Sequence, residues 1–210
     1  MESFEQDIPE QSVTQSPDQS GLEGHIREAE PAALGAPDQM LDTPQHPQGD
    51  APDCLLQSAR MAEERQTGVD PGLDAYKQPA IERGIYDPAS GTDLPAFVDV
   101  MNERPGIEAE LVSADGPEDI KEALDSGESV IAGVDAYEFY QGQFNLEPNS
   151  GGHAIVVTGA DQAPDGRWEF TVNDPNESTP NTPVDGETFL RAWDAQGRQM
   201  VTVQSKGGSW

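Results

Sequence analysis

The chain has 210 residues, of which 40 are acidic and 11 are basic, so its formal net charge is −29. This charge repels phosphate backbones and anionic lipid, so neither nucleic acid nor a membrane is an expected partner. Acidity favours cationic substrates or partners, although solubility or a salt-adapted source is the simpler explanation. Hydrophobic residues make up 34% of the chain, too few for a chain that is globular throughout.

The first 45 residues are rich in Gln, Glu, Asp, Pro and Ser, and their apolar residues follow neither a 2-residue nor a 3.6-residue period. The sequence therefore predicts a disordered acidic Gln/Pro-rich tail over residues 1–45 and one folded domain over residues 46–210. It contains neither a signal-peptide pattern nor an apolar run of about 18 residues. We expect a soluble protein, either cytoplasmic or exported by a dedicated secretion system.

Helical patterns come first in the predicted domain. Apolar residues at helical spacing run from Leu55 to Ala62 ahead of Gly68, which predicts a helix with Cys54 in its first turn. Similar patterns predict helices near residues 94–101 and 117–127. Runs rich in β-forming residues at 129–134, 153–158, 168–172 and 199–203 predict antiparallel strands, with a short helix at 187–193. Helices followed by a sheet indicate an α+β fold.

Three residues are candidates for thiol chemistry. Cys54 lies at a predicted helix N-terminus, which lowers a thiol pKa, but a lone cysteine is more often a small buried hydrophobe. His153 opens a buried strand, where a histidine satisfied by the backbone is equally expected. Asp174 ends the next strand. A hairpin through 163–166 would bring it back beside His153; without that hairpin, Asp174 and Pro175 form a plain turn.

Other residues have candidate roles around this site. Gln48, six residues before Cys54, would donate its amide to an oxyanion together with the Cys54 N–H, unless it is one more glutamine of the tail. Tyr137, Phe139 and Tyr140 precede His153 in an aromatic run and would form a wall of the substrate cleft, or alternatively cover the sheet.

Metal chemistry is not expected from this sequence. One cysteine and histidines at positions 25, 46 and 153 form no ligand cluster by spacing, so no metal site and no cofactor is expected.

The order of these motifs resembles a known family. The motifs are Gln48-Gly-Asp-Ala-Pro-Asp-Cys54, Gly152-His-Ala-Ile-Val-Val-Thr-Gly159 and Val172-Asn-Asp-Pro175. In this order they are similar to the peptidases that remove double-glycine leaders from bacteriocins, and to their stand-alone relatives in the papain-like clan. One departure is Leu55-Leu56-Gln57, where the family commonly has Gly and small residues after the cysteine. The transporter to which leader peptidases are usually fused is not predicted either, so leader processing is not inferred.

The resemblance implies a papain-like fold whose helical N-terminal half packs the nucleophile helix on a C-terminal antiparallel sheet. It implies a cysteine peptidase with a Cys54-His153-Asp174 triad, a thioester intermediate, Gln48 at the oxyanion and Gly152 beside the substrate. The expected partner is a protein or peptide substrate.

Two alternatives use the same fold. One is a glutamine deamidase or acyltransferase, and the other is an inactive binding module. By analogy alone, the domain would also suit a bacterial toxin or effector that an inhibitory or immunity protein holds inactive, and an intracellular processing peptidase fits equally well.

Overall fold

The computed structural model describes residue 37 and residues 39–143, 146–148 and 150–207. In chain order its elements are α1 (Cys54–Thr67), α2 (Asp74–Glu82), β1 (Tyr86–Asp87), β2 (Gly91–Thr92), α3 (Leu94–Asn102), β3 (Ile107–Ser113), α4 (Pro117–Asp125), β4 (Ser129–Asp135), α5 (Ala136–Tyr140), β5 (Gly152–Gln162), β6 (Trp168–Asn173), β7 (Thr182–Asp185), α6 (Gly186–Ala195) and β8 (Gln199–Ser205). None of the helices in these ranges is long and apolar enough to cross a membrane.

The helix α1 begins at Cys54, as its apolar stripe predicts. Leu55, Leu56 and Ala62 are at most 2% exposed, so the stripe faces the protein interior. The helix ends where Gly68 adopts a left-handed conformation with φ of 71° and donates its N–H to the Glu64 carbonyl. The other three predicted helices are α3, α4 and α6, and they are confirmed.

Six strands form one antiparallel sheet in the order β3-β8-β4-β5-β6-β7. The four predicted strands, β4, β5, β6 and β8, are confirmed, and β3 and β7 form its edges. The predicted hairpin joins β5 to β6: the Ala163 N–H donates to the Arg167 carbonyl at 2.8 Å, and the Gly166 N–H donates to the Ala163 carbonyl at 2.8 Å. The strand that begins beside His153 is therefore paired with the strand that ends before Asp174.

Helices cover both faces of the sheet. Because successive strand side chains point to opposite faces, β5 sends Ala154 and Val156 into one hydrophobic cluster and Ile155 and Val157 into the other. The first cluster contains buried residues of α1, α2 and α3, and the second contains those of α4 and α6. The predicted α+β arrangement is confirmed, and the sheet lies between two helical layers.

The sequence patterns do not predict α2 or β3. The helix α2 contains Pro79, and its buried residues are Tyr76 and Ala80. Two buried positions are too few to reveal a helical period in the sequence. The strand β3 alternates buried Ile107 with exposed Glu108, a pattern typical of an edge strand with charged side chains facing solvent.

Residues 39–48, here called the N-terminal segment, run beside β5 and β6. The Leu41 N–H donates to the Thr158 carbonyl at 2.7 Å, and the Asn173 Nδ2 donates to the Thr43 carbonyl at 2.8 Å. Thr43 is 4% exposed. The sequence assigns residues 39–45 to the tail, whereas polar groups of this segment here bond to the strands. The segment has no apolar pattern, so the sequence does not indicate these contacts. The rest of the predicted tail, residues 1–36 and 38, lies outside the described residues.

Candidate active site

The nucleophile candidate, Cys54, is the first residue of α1 and is partly exposed. The preceding residue, Asp53, is 2% exposed, and its carboxylate accepts from Lys77 Nζ at 2.8 Å and from the Tyr86 hydroxyl at 2.8 Å. These contacts tie the loop before the helix to α2 and β1, while the Asp53 carbonyl accepts the Gln57 N–H at 2.8 Å. The position of Cys54 is thus fixed from both sides.

The imidazole of His153 lies near the start of β5, where residue 153 pairs with Val134 of β4. It is 6% exposed, and its Nε2 is 2.7 Å from Asp174 Oδ1. Since Asp174 engages Nε2, the ring nitrogen left to face the Cys54 sulfur is Nδ1. The strand, the hairpin and the helix N-terminus therefore bring together the three residues that the sequence singled out.

The carboxylate of Asp174 has hydrogen-bond donors on both oxygens. Oδ1 accepts from His153 and from the Asn176 main-chain N–H at 2.8 Å, and Oδ2 accepts from the Tyr140 hydroxyl at 2.6 Å. Its main-chain carbonyl accepts from Gln45 Nε2 at 2.7 Å, so the N-terminal segment also holds this residue. Asp174 is 2% exposed, and these donors offset the cost of burying its charge.

The three pKa values shift in directions that favour an ion pair. Burial alone raises the pKa of Cys54, but His153 and the N–H groups of Ala154 and Leu55 lower it below its ordinary value. Burial alone lowers the pKa of His153, but Asp174 and Cys54 raise it to about 9. Burial raises the pKa of Asp174, yet His153 and Tyr140 lower it overall. A lowered thiol pKa and a raised imidazole pKa both favour the thiolate and imidazolium forms together.

A cleft of about 340 Å³ opens beside Cys54 and His153. Its lining includes residues 90–92 of the β1–β2 hairpin, Gly152 of β5, and Gln196 and Gln199. A Cβ on Gly91 would lie 2.7 Å from the Pro52 carbonyl oxygen, so a glycine there lets the hairpin pack against the loop that leads to Cys54. Its volume falls within the range of about 300–1,000 Å³ that is typical of ligand-binding pockets.

The comparison with protein families decides the class. The model of the Peptidase_C39 like family matches residues 47–201. The chain belongs to this family. It is therefore a papain-like cysteine peptidase, a hydrolase, as the resemblance implies. No curated protein matches the chain.

Solved structures share the fold of this C39-like peptidase. A putative C39-like peptidase from Bacillus anthracis is 16% identical with a TM-score of 0.56, over 80% of this chain and 98% of that chain. A double glycine motif protease from an AMS/PCAT transporter, solved in complex with the leader peptide, is 17% identical with a TM-score of 0.50, over 82% and 97%. UfSP from C. elegans is 11% identical with a TM-score of 0.50, over 86% of this chain and 36% of its own. These likenesses show the papain-like fold.

Gln48 lies beside the loop after β6. The Gln48 main-chain N–H donates to the Pro175 carbonyl at 2.7 Å. Its side-chain Oε1 is buried without a hydrogen-bond partner among the described residues, and Gln48 does not line the cleft. Its oxyanion role stays a prediction.

The predicted substrate-binding aromatics lie behind the imidazole. Of the four residues predicted to contact substrate, Gly152 lines the cleft and Tyr137, Phe139 and Tyr140 do not. The Phe139 ring packs edge-on against Tyr140 with centroids 5.1 Å apart and joins the hydrophobic cluster under α6. Tyr140 contacts His153 and Asp174. Asn176, Gln196 and Gln199 were not singled out by the sequence, because isolated polar residues in turns or at the start of a strand carry no pattern.

One further cluster of ionisable groups lies away from the cleft. His46 Nε2 is 2.5 Å from Glu64 Oε2, and their ligand atoms lie within 4.8 Å of the Asp70 carboxylate. Arg60 already binds both Asp70 oxygens, at 2.7 and 2.6 Å, and lowers the pKa of that carboxyl. This cation neutralises the cluster, which attaches the N-terminal segment to α1.

Proposed function

We propose that this C39-like peptidase cleaves a peptide or isopeptide bond with Cys54 as nucleophile, His153 as general acid and base, and Asp174 as the carboxylate that orients the imidazole. The observation that carries the proposal is the short chain of contacts from the cleft inward. Cys54 and His153 line the cleft, and His153 Nε2 lies 2.7 Å from Asp174 Oδ1. A cysteine, histidine and carboxylate in this order form the arrangement of thiol-dependent hydrolases.

In the first half of the reaction, the Cys54 thiolate attacks the substrate carbonyl carbon and the carbonyl oxygen takes the negative charge. The Cys54 N–H at the helix terminus and the predicted Gln48 amide would stabilise that oxyanion. When the carbon–nitrogen bond breaks, the His153 imidazolium gives its Nδ1 proton to the leaving amine, and a thioester on Cys54 remains.

In the second half, neutral His153 removes a proton from water as the water oxygen attacks the thioester carbonyl. The carbon–sulfur bond breaks, the carboxylic acid product leaves, and the thiolate and imidazolium return. Asp174 holds the ring orientation throughout and stabilises the cation. No cofactor takes part in any of these steps.

The target is expected to be a protein or peptide, as for a bacterial toxin or effector. Two features support a cationic target segment: the net charge of −29, and a cleft whose described lining carries Asp93 and no lysine or arginine. The first substrates to test are therefore basic peptides and basic proteins.

Iodoacetamide alkylation followed by intact mass tests the nucleophile without a known substrate. Because the chain has one cysteine, every added carbamidomethyl group on sulfur reports Cys54. An ion-paired thiolate reacts rapidly well below pH 8, whereas an ordinary thiol gains reactivity only near its pKa of about 8.5. The second profile would overturn the proposal.

Cleavage of basic peptides, followed by mass spectrometry, tests the reaction. Cys54→Ala should abolish cleavage while the melting temperature changes little, because the substitution removes little buried volume. Ser58→Ala is the matched control, since Ser58 lies one turn away on α1 and its hydroxyl donates to the Ala154 carbonyl at 3.1 Å. Ammonia release without chain cleavage would instead support glutamine deamidation. Cleavage that survives Cys54→Ala would exclude the proposed nucleophile.

A further inference from the structure

The hydroxyl of Tyr140 lies at the junction of His153 and Asp174, on the side away from the cleft. Its oxygen is 2.6 Å from Asp174 Oδ2 and 3.0 Å from His153 Nε2. Tyr140 is the last residue of the short helix α5, which follows β4 directly. Tyr140, one of the residues predicted to contact substrate, is therefore in contact with two members of the proposed triad.

The side chain of Asn176 determines the direction of the Tyr140 hydrogen bond. Asn176 Nδ2 donates to the Tyr140 oxygen at 2.8 Å, so the hydroxyl proton points to Asp174. Burial and the negative charge of Asp174 raise the pKa of Tyr140, so the hydroxyl keeps its proton at any pH where the enzyme works. Asn176 is exposed, but both its main-chain and side-chain nitrogen atoms are committed to this network.

These contacts restrict the rotation of the carboxylate. With Oδ2 bonded to Tyr140 and Oδ1 bonded to the Asn176 N–H, the Asp174 carboxylate presents Oδ1 to the imidazole in one orientation. The imidazole is then oriented with Nδ1 towards Cys54. The titratable side chains that contact or face His153 are Cys54 of α1, Tyr140 of α5 and Asp174 after β6, so no other charge competes for this arrangement among the described residues.

We propose that Tyr140 and Asn176 act as one pair of positioning residues, which fixes the Asp174 carboxylate and, through it, aims the His153 imidazole at the Cys54 sulfur. The proposal rests on the proposed function, because it assigns work to that triad. The pair does not contact substrate. It joins α5, which precedes β5, to the turn that follows β6, so its two members come from the same open end of the β5–β6 hairpin.

The test compares Tyr140→Phe with the wild-type protein by the pH dependence of Cys54 alkylation. Without the hydroxyl, the imidazole is aimed less well and the thiolate loses stabilisation. The half-maximal pH of alkylation should therefore rise by about 0.5–1 pH unit, a fraction of the shift that a full charge partner causes. With a cleaved substrate, kcat should fall several-fold while KM stays unchanged, since the pair acts only on the reacting groups.

A matched control is available within the same chain. Tyr76 is also buried and its hydroxyl donates to the buried Glu63 carboxylate at 2.5 Å, but it lies outside the cleft. Tyr76→Phe makes the same chemical change at a distance from Cys54, so it should leave the alkylation profile and kcat unchanged. Equal profiles for Tyr140→Phe and the wild type would overturn the proposal.

The exposed partner supplies a second variant that removes little packing. Asn176→Ala keeps the main-chain N–H to Asp174 and deletes only the bond to Tyr140, so it should shift the profile in the same direction by less. The double variant should match Tyr140→Phe alone, because two residues that act as a unit are not additive. Full additivity would show that they act separately and would overturn the paired role. A wild-type profile of an ordinary thiol would instead reject the proposed function itself, before the pair is tested.

Discussion

Two buried carboxylates in this molecule are bound in nearly the same way. Glu63 of α1 accepts from the Tyr76 hydroxyl at 2.5 Å and from Arg104 at 2.9 Å on each oxygen. Asp174 accepts from the Tyr140 hydroxyl at 2.6 Å and from His153 at 2.7 Å. Each network therefore has a carboxylate, a tyrosine whose pKa is raised, and a cationic nitrogen side chain.

The difference lies in the cation. Arg104 stays charged at every relevant pH and uses its planar fork on Glu63, so that network joins α1, α2 and the end of α3 and has no proton to transfer. His153 has a second ring nitrogen that faces a thiol, and its proton can leave. One arrangement of buried charge thus stabilises a helical layer, and nearly the same arrangement beside Cys54 belongs to the proposed triad.

The largest expected effect comes from removing the titratable base. His153→Ala deprives the Cys54 thiolate of its cationic partner, so the rate of alkylation at pH 6 should fall about 100-fold. Hydrolysis should fall by at least that factor, since proton transfer to the leaving amine is lost as well. His46→Ala removes a histidine bonded to Glu64 outside the cleft and is the control. An unchanged alkylation rate in His153→Ala would separate the thiol from the imidazole.

The next effect is on stability. Arg104→Met keeps most of the side-chain volume but leaves Glu63, which is 5% exposed, without a cation. Removing one partner of a buried pair costs about 3–5 kcal/mol, and the lower end applies because the Arg104 side chain is 26% exposed. Urea unfolding measures the loss. The folded variant should keep the wild-type alkylation profile, and a shifted profile would show that the two networks are coupled.

The residues of the proposed triad are easier to single out from the sequence than those of the Glu63 network. Cys54, His153 and Asp174 are recognisable because each stands at the end of a periodic segment, at a helix start, a strand start and a strand end. Glu63 and Arg104 belong to a helix interior and a turn, where charged residues are ordinary. Their contact depends on how α1 packs beside α3, which no local pattern encodes.

Within the site, the sequence does not predict the contacts of Tyr140 and Asn176, the residues that we propose to position Asp174. Tyr140 was recognised as aromatic and placed at a substrate wall, because the sequence gives no direction for its ring. Asn176 follows a strand in an ordinary turn. The N-terminal segment bonds through polar side chains and main-chain atoms, so its hydropathy is that of a disordered tail even where Thr43 is 4% exposed.

The pH dependence of hydrolysis and of stability distinguishes the His153 imidazolium from the Arg104 guanidinium. The pKa of His153 is raised to about 9 in the folded protein, above its ordinary value of about 6.5. The stability contributed by the imidazolium is therefore complete below about pH 6.5 and is lost as the pH rises through about 9. Hydrolysis should fall about 10-fold per pH unit above that value, because the leaving amine needs the proton.

Alkylation of Cys54 should not show this fall, because alkylation needs only the thiolate. The stability contributed by Arg104 should also persist, since its guanidinium remains charged. A rate of hydrolysis that stays constant up to pH 10 would contradict the role of the imidazolium as the proton donor.

The smallest effect is expected from replacing the Asp174 and Glu63 carboxylates by amides of nearly the same shape. Asp174→Asn can still accept the Nε2 proton on its Oδ1, but its amide nitrogen then faces the Tyr140 hydroxyl, which has to turn its proton away. Asp174→Asn removes one of the two anions that raise the pKa of His153 to about 9. The pH above which hydrolysis falls, here called the alkaline limb, should therefore move down by about 1 unit. The shift is limited because the Cys54 thiolate still stabilises the imidazolium. Glu63→Gln should lower stability and leave that limb in place. If Asp174→Asn also leaves the limb at pH 9, then the thiolate alone holds the proton on His153, and Asp174 acts by position rather than by charge, unlike Glu63.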